Sequence, residues 1–306
     1  MTEIASLEPI LSSAPQAESL SALIWRRFRR HRIAYASLFV LVLMTLLVLA
    51  APFTGYSATE QNPKNEFASP SAEHWFGTDE LGRDVFTRIL YGGQISIAVG
   101  VFSTLLALMF GVVVGALSGF YGGWVDNLLM RITDTFLILP VVFVLILLSA
   151  LLRELPALEG LRNSIWLVIF AISAFAWMLP ARITRGLFLV LREKEFVSAS
   201  RALGASDARL IFLRILPNSL GPLLVSGTLQ MAFAIITESG LSYLGFGIQP
   251  PTPSWGNILE SAQIHVFRSP WLAVFPGAMI FVTVMAINFI GDGLRDAFDP
   301  YVVHEK

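Results

Sequence analysis

The sequence predicts an all-α integral membrane protein with six transmembrane helices, and two observations predict it. The first is composition: of 306 residues, 55% are hydrophobic and 14% charged, with a mean hydropathy of +0.68. Soluble domains carry about 25% charged residues. The second is how the apolar content is arranged. It falls in six charge-free runs: Ile33–Thr59, Ile89–Val125, Thr135–Leu152, Asn163–Ala181, Ile215–Thr237 and Ser269–Gly291. About 20 residues at about 1.5 Å each cross the roughly 30 Å hydrocarbon layer. Backbone groups in lipid must pair internally, and these runs lack the alternation of barrel strands, which leaves helices.

Residues 1–20 are rich in Ser, Ala, Pro and Glu without periodicity and suit a mobile tail. WRRFRRHR at 25–32 suits a short helix in the headgroup layer, with its arginines on anionic membrane lipid and Trp25 and Phe28 dipping inward, or equally a generic positive-inside anchor. The first transmembrane helix follows at 33–53. Its run is too long for a signal peptide, and Ala50-Ala51-Pro52-Phe53 is a poor cleavage site, so the helix is retained.

Residues 54–94 form the first extracytoplasmic segment. There Val85/Ile89 and Phe86/Leu90 recur at four-residue spacing, predicting a short amphipathic helix that leads into the second span. His74, Asp79 and Asp84 precede it and suit a small polar site or, more in keeping with their position, a polar turn that caps the helix. The transmembrane core runs from 95 to 292. In its second span Gly111, Gly115 and Gly119 stand four apart, a smooth face on which another helix can close. FYGGWVD at 120–126 is the following turn. From Asn218, about 20 residues of the fifth span place Glu238 at the outer face. SGLSYLGFGIQPPTPSWG then makes a re-entrant or loop-packed cap with Trp255 at the membrane interface, and residues 293–306 form a C-terminal tail.

Orientation follows from charge. With a cytoplasmic N-terminus, residues 1–32, 119–131, 182–214 and 293–306 share one side and hold fifteen Lys/Arg, against six on the other. This positive-inside bias puts both termini in the cytoplasm.

Several chemistries are excluded. A net charge of −1 argues against a nucleic-acid partner, and zero cysteines exclude disulfides and Cys-ligated metals. His31, His74, His265 and His304 have no metal-ligand spacing. No G-x-x-x-x-G-K-[ST] motif occurs, so nucleotide binding is not expected in this chain, and no catalytic cluster is visible. The charges Arg131/Asp134 and Asp292/Arg295 sit near helix ends, three residues apart, where each pair can close locally. No ionisable group falls mid-span, which disfavours an ion-coupled secondary transporter. The central polar groups are neutral: Ser226, Thr228 and Gln230 on the fifth span, Thr283 on the sixth, Ser103 and Thr104 on the second. They suit either a passage for a polar solute or bonding between helices.

Between the fourth and fifth spans, EKEFVSASRALGASDARLIFLRILPNSLG (193–221) is a charged, helix-rich island. Ser198–Leu203 reads as one short helix broken at Gly204. A second restarts with Ser206 as N-cap and Asp207 at its positive end, and Pro217-Asn218 turns the chain back to the membrane. Such a compact projection suits docking of a soluble motor, or an ordinary loop on lipid headgroups.

Ordered blocks across residues 74–300 carry a resemblance: HWFGTDELGRDVFTRILYG, GFYGGWVDNLLMRITD, EFVSASRALGAS, RILPN, ESGLSYLGFGIQPPTPSWG and INFIGDGLRDAFDP. They resemble the inner-membrane permeases of ATP-binding-cassette importers for dipeptides, oligopeptides and nickel, in the DppC/OppC branch. The resemblance implies the type I importer permease fold and a peptide solute, with nickel or another small solute as the alternative. It also implies four partners besides lipid: a second permease, two ATPase subunits that bind ATP and Mg, and an extracytoplasmic solute-binding protein. A coupling loop would lie at about 185–217. Its general form, Glu-Ala-Ala-x3-Gly-x9-Ile-x-Leu-Pro, is met at Ala199, Gly204, Leu216 and Pro217, with Ser198, Ser200 and Arg214 departing from it. Glu195, Arg201 and Ala205 belong to the same loop. Gln230, Ser226, Thr228 and Thr283 are the candidates for the translocation path.

Overall fold

Six apolar runs dictate where helices form, but the breaks within them decide the architecture. The computed structural model describes residues 19–161 and 164–299, and among these no strand forms beyond an isolated bridge between Thr78 and Asp84. Helix α1 (Leu20–Arg30) precedes α2 (Arg32–Leu49). After residues 50–84 come α3 (Val85–Tyr121), α4 (Gly123–Ile138), α5 (Val141–Glu154), α6 (Ile165–Ala176) and α7 (Met178–Leu191). Two short helices, α8 (Glu195–Ala202) and α9 (Asp207–Leu210), lead through a π-helical turn at Ile211–Ile215 into α10 (Leu216–Tyr243). Helices α11 (Trp255–His265) and α12 (Trp271–Phe298) follow.

Four helices are each long and apolar enough to cross a membrane: α2, α3, α12 and the continuous stretch Asp207–Tyr243. The third and fourth predicted spans are instead broken. Helices α4 and α5 meet at 93°, α6 and α7 at 43°, and six spans result when each bent pair counts once. Proline causes both breaks. Pro140 forces Leu139 into an extended conformation (φ −70°, ψ 137°). Pro180 has no N–H to donate to the Ala176 carbonyl, where α6 ends. The short helix predicted ahead of the second span is not separate: it is the first part of the 37-residue α3. Helix α12 continues to Phe298, past residue 292.

The glycines of α3 decide its main contact. A Cβ on Gly115 would lie 2.3 Å from the Ala181 carbonyl oxygen of α7, and one on Gly119 would lie 2.7 Å from that of Arg185. Gly111 stands equally close to Pro180 and Trp177. The two backbones therefore touch, as small-residue faces allow in lipid, where burial of apolar surface supplies no driving force between helices. Around this seam the arginines of α7 fix neighbouring elements. Arg185 binds Asp126 of α4 through two parallel bonds of 2.5 and 2.6 Å. Arg192 donates to the Gly119 (2.9 Å) and Phe120 (3.3 Å) carbonyls, which the end of α3 leaves without helical donors. Asp134 pairs with Arg182 of α7, not with Arg131 as its spacing suggested. The facing helix outcompetes the local partner.

At one end of the bundle, residues 50–84 and 244–254 form a cap. Asp84 caps α3 by accepting from Thr87 N–H (2.8 Å), and His74 Nδ1 lies 2.9 Å from the same carboxylate. Asp79 pairs with Arg83 at 2.7 Å and Arg88 at 3.3 Å. The turn His74–Asp84 is thus the helix cap that its residues predict. Trp255, expected at the membrane interface, is instead fully buried, and its indole N–H donates to the Ile89 carbonyl at 3.0 Å. A capping box between Ser254 and Asn257 starts α11 and turns the indole inward.

The cap is stitched to α10 by Glu238. Its carboxyl accepts from Ser242 Oγ at 2.7 Å and from Ser96 Oγ of α3 at 2.8 Å. Those hydroxyls in turn accept from the Ile248 N–H (2.9 Å) and the Trp255 N–H (3.3 Å). Glu238 is fully buried rather than at an exposed outer face.

At the N-terminus, Phe28 does not dip into lipid. It packs with Ala34, Ile290 and Ala297, docking α1 on α12, and Arg27 donates to the Asp299 carbonyl at 2.8 Å. Trp25 stays half exposed. The tail predicted at residues 1–20 lies, up to residue 18, outside the described residues, as do residues 300–306.

Two substitutions test this packing. Gly115→Ala should lower the thermal midpoint in detergent by several degrees, because a backbone carbonyl stands in the methyl's place. Gly186→Ala on the open side of α7 should leave it unchanged or raise it, by up to about 1 kcal/mol of reduced unfolded-state freedom. Glu238→Leu removes both acceptors. Amide exchange across 244–256 should then accelerate about tenfold or more, since unsatisfied buried donors cost about 1–3 kcal/mol. Unchanged protection would deny Glu238 its stitching role.

Candidate functional site

Two regions have the geometry of working parts: a projection at the end opposite the cap, and a groove along α10.

The projection is built by local chemistry at Gly204. Helix α8 ends with the Gly204 N–H on the Arg201 carbonyl (2.9 Å) and the Ala205 N–H on the Ser200 carbonyl (3.1 Å). This is a Schellman ending, which requires a left-handed residue. Gly204 supplies it with φ +81°. Ser206 occupies the N-cap of α9, although its side chain makes no capping bond; its carbonyl accepts from Leu210 N–H at 2.9 Å. Buried Val197, Leu210, Ile211 and Ile215 seat the projection on Ala116, Phe120 and Phe188 of α3 and α7. Arg201 places its guanidinium 6.0 Å from the Phe120 ring centre.

No turn forms at Pro217. The chain continues as one helix from α9 into α10 because the π-helical turn before it, closed by the Leu216 N–H on the Ile211 carbonyl, makes room for a residue without N–H. Asn218 Nδ2 and Ser219 Oγ donate to the Arg214 (2.6 Å) and Ile215 (3.0 Å) carbonyls.

Of the residues singled out in this loop, Glu195, Ser198, Ala199, Arg201, Gly204 and Pro217 are exposed, while Ala205 and Leu216 are half-buried against the core of the projection. The tip is unusually apolar for an exposed surface. Leu203 is 89% exposed beside Gly204, with Phe212 and Leu213 also open. Exposed Arg209 and Arg214 flank them. Sequence periodicity could not separate these open apolar side chains from the core ones, because both alternate along the same short elements between Val197 and Ile215.

The groove lies on the face of α10 that carries Ser226 and Gln230. Both line a cavity of about 270 Å³ whose other walls are apolar, among them Leu145, Ile172, Phe175 and Phe233. A second cavity of about 700 Å³ shares Ser226 and Leu229 with the first and extends to Asn218, Arg295 and Asp299 near the projection. Thr228 and Thr283 do not join them. Thr228 Oγ1 donates to the Val225 carbonyl (2.8 Å) and faces Gly291 of α12. Thr283 is fully buried and lines neither cavity. Ser103 donates to the Ile169 carbonyl at 3.4 Å, bonding α3 to α6. Glu238 is the buried polar residue that sequence reasoning undervalued, since its partner Ser96 is 142 residues away.

Comparisons with known proteins agree with this architecture. Residues 111–304 match the family described as binding-protein-dependent transport system inner membrane component, and residues 19–70 match the N-terminal TM domain of oligopeptide transport permease C. The chain is 39% identical to the dipeptide transport system permease protein DppC of Alkalihalophilus pseudofirmus over 96% of each protein. It is 40% identical to the oligopeptide transport system permease protein OppC of Bacillus subtilis, again over 96% of each. The glutathione transport system permease protein GsiD of Escherichia coli O157:H7 is 42% identical, over 91% of this chain and 89% of GsiD. Among solved structures, an inward-facing form of the MetNI methionine ABC transporter aligns with a TM-score of 0.58 at 18% identity, covering 69% of this chain and 97% of that one. The described helices, their broken third and fourth spans and these matches together place the chain in the family of binding-protein-dependent transport system inner membrane components.

Proposed function

We propose that this chain is the transmembrane permease subunit of an ATP-driven importer, forms half of the passage for peptides, and is moved by ATPase subunits that dock on the α8–Gly204–α9 projection. The observation that carries the docking assignment is the projection itself. It is rigidly seated on α3 and α7 by Val197, Leu210 and Ile215, yet presents Leu203, Phe212 and Leu213 to solvent. Open apolar side chains rimmed by arginine suit a protein partner better than lipid headgroups. Force applied there reaches the groove directly, because α9 continues into α10 as one helix from Asp207 to Tyr243.

The positive-inside bias supports a cytoplasmic projection and cytoplasmic termini, with ATP and Mg bound by the partner. The cap at residues 50–84 and 244–254 then faces the extracytoplasmic side and a solute-binding protein, and a second permease closes the other half of the passage. Peptide as solute is supported by the permeases this chain resembles. The cavities along α10 support it too: neither is lined by histidine, and the smaller one is lined by no carboxylate, a poor setting for nickel.

Gly204→Pro tests the coupling. Proline cannot adopt φ +81° and also deletes the N–H bonded to Arg201, so uptake by the reconstituted complex should fall at least about tenfold while the chain still inserts. Gly204→Ala, which meets no atom within 4 Å, carries only the left-handed penalty of about 1 kcal/mol and should retain most uptake. Normal uptake by Gly204→Pro would remove the projection from the mechanism.

A further inference from the structure

We infer that the cavity at Gln230 is a subsite for a solute carboxylate joined to an apolar side chain, held between the Gln230 carboxamide and the N-terminus of α5. This deepens the passage reading above and rests on it.

Three observations converge on the cavity. First, both helix breaks open onto it. Leu137 and Val141 flank the Pro140 bend, Ala176 and Leu179 flank the α6–α7 bend, and all four line the same wall. Interrupted spanning helices matter because their freed ends present backbone groups inside the membrane, where nothing else can satisfy them.

Second, the α5 end at this wall is uncapped. Pro140 occupies the N-cap and makes no side-chain capping bond. The 93° bend removes the carbonyls of α4 from reach, so the N–H groups of Val141, Val142 and Phe143 find no acceptor among the described residues; the first bond of this end is the Val144 N–H on the Pro140 carbonyl (3.2 Å). Helix α5 has 14 residues, enough for its aligned peptide dipoles to place about half a positive charge there.

Third, Gln230 is 6% exposed, lines the cavity and makes no hydrogen bond to another of the described residues. Its carboxamide is therefore open to the cavity, where a ligand or water can complete hydrogen bonds that the apolar wall does not offer. Its NH₂ can donate to a carboxylate oxygen, while the free N–H groups of α5 take the other.

The remaining walls fix the rest of the ligand. Leu145, Ile172, Phe175 and Phe233 are apolar, and no charged residue lines the cavity. An apolar side chain fits about 270 Å³ of such space, and a cationic one would meet the positive helix end. Ser226 lies one turn from Gln230 and opens to the larger cavity that ends near Arg295 and Asp299, so the remainder of a peptide extends along α10 in that direction.

The chain contains no cysteine, which gives a direct test. The assembled complex carrying Gln230→Cys is treated separately with anionic 2-sulfonatoethyl and cationic trimethylammonioethyl methanethiosulfonate, and the adduct on this chain is read by mass. An exposed control, Gln263→Cys on α11, gives the reference ratio. The anionic reagent should be favoured at the cavity over the control by at least about fivefold, as a helix N-terminus in a partly buried site implies. Ala-Leu at millimolar concentration should slow that labelling, and its C-terminal amide should not. Should Gln230→Cys not assemble, Ser226→Cys on the same wall carries the same comparison. Two outcomes overturn the subsite: neither cavity thiol reacts while Gln263→Cys does, or the cationic reagent is favoured. Either can occur with ATP-dependent uptake intact, in which case the permease assignment stands and the subsite alone falls.

Discussion

The contact between α3 and α7 is the constraint on which the other working parts depend. Three glycines let the two backbones meet, and that approach sets where the arginines of α7 reach. Arg185 finds Asp126, and Arg192 finds the carbonyls at the end of α3. In lipid, burial of apolar surface contributes nothing between helices, so tight packing and these bonds supply the cohesion. Widening the seam by one methyl would pull both arginines from their acceptors. It would also tilt Phe188, the fully buried side chain on which the projection sits.

From that base a single rod links the two ends of the molecule. The helix Asp207–Tyr243 has 37 residues and so spans about 55 Å. It begins in the projection, carries Ser226 and Gln230 at its middle and ends at Glu238 under the cap. The one helix therefore joins the seat of the projection to the groove wall and to the cap. The bends at Pro140 and beside Pro180 give the facing wall a different character, since short half-helices can reorient where a continuous one cannot.

Much of this was legible in the chain. The charge-free runs mark the spans, the Gly111–Gly115–Gly119 spacing marks the seam, and the His74–Asp84 turn marks the cap of α3. Gly204 signals the break between α8 and α9. What failed to show depends on distant partners. Asp134 looked paired with Arg131 because both lie on one helix, but the winning partner, Arg182, is on α7. Trp255 looked interfacial by residue type, yet the Ile89 carbonyl and the Ser254 capping box draw it inside. The straight passage through Pro217 depends on a π turn, a backbone adjustment without a residue pattern of its own. Thr228 and Thr283 resemble Ser226 and Gln230 in polarity, and only the packing of α12 separates the two pairs.

The most direct test of the account is mild-detergent purification of this chain with its native partners, followed by solute uptake in vesicles with and without internal ATP. A second permease and ATPase subunits should co-purify, and uptake of a peptide should require ATP together with a solute-binding protein. A chain that purifies alone and moves solute into vesicles without ATP would contradict it.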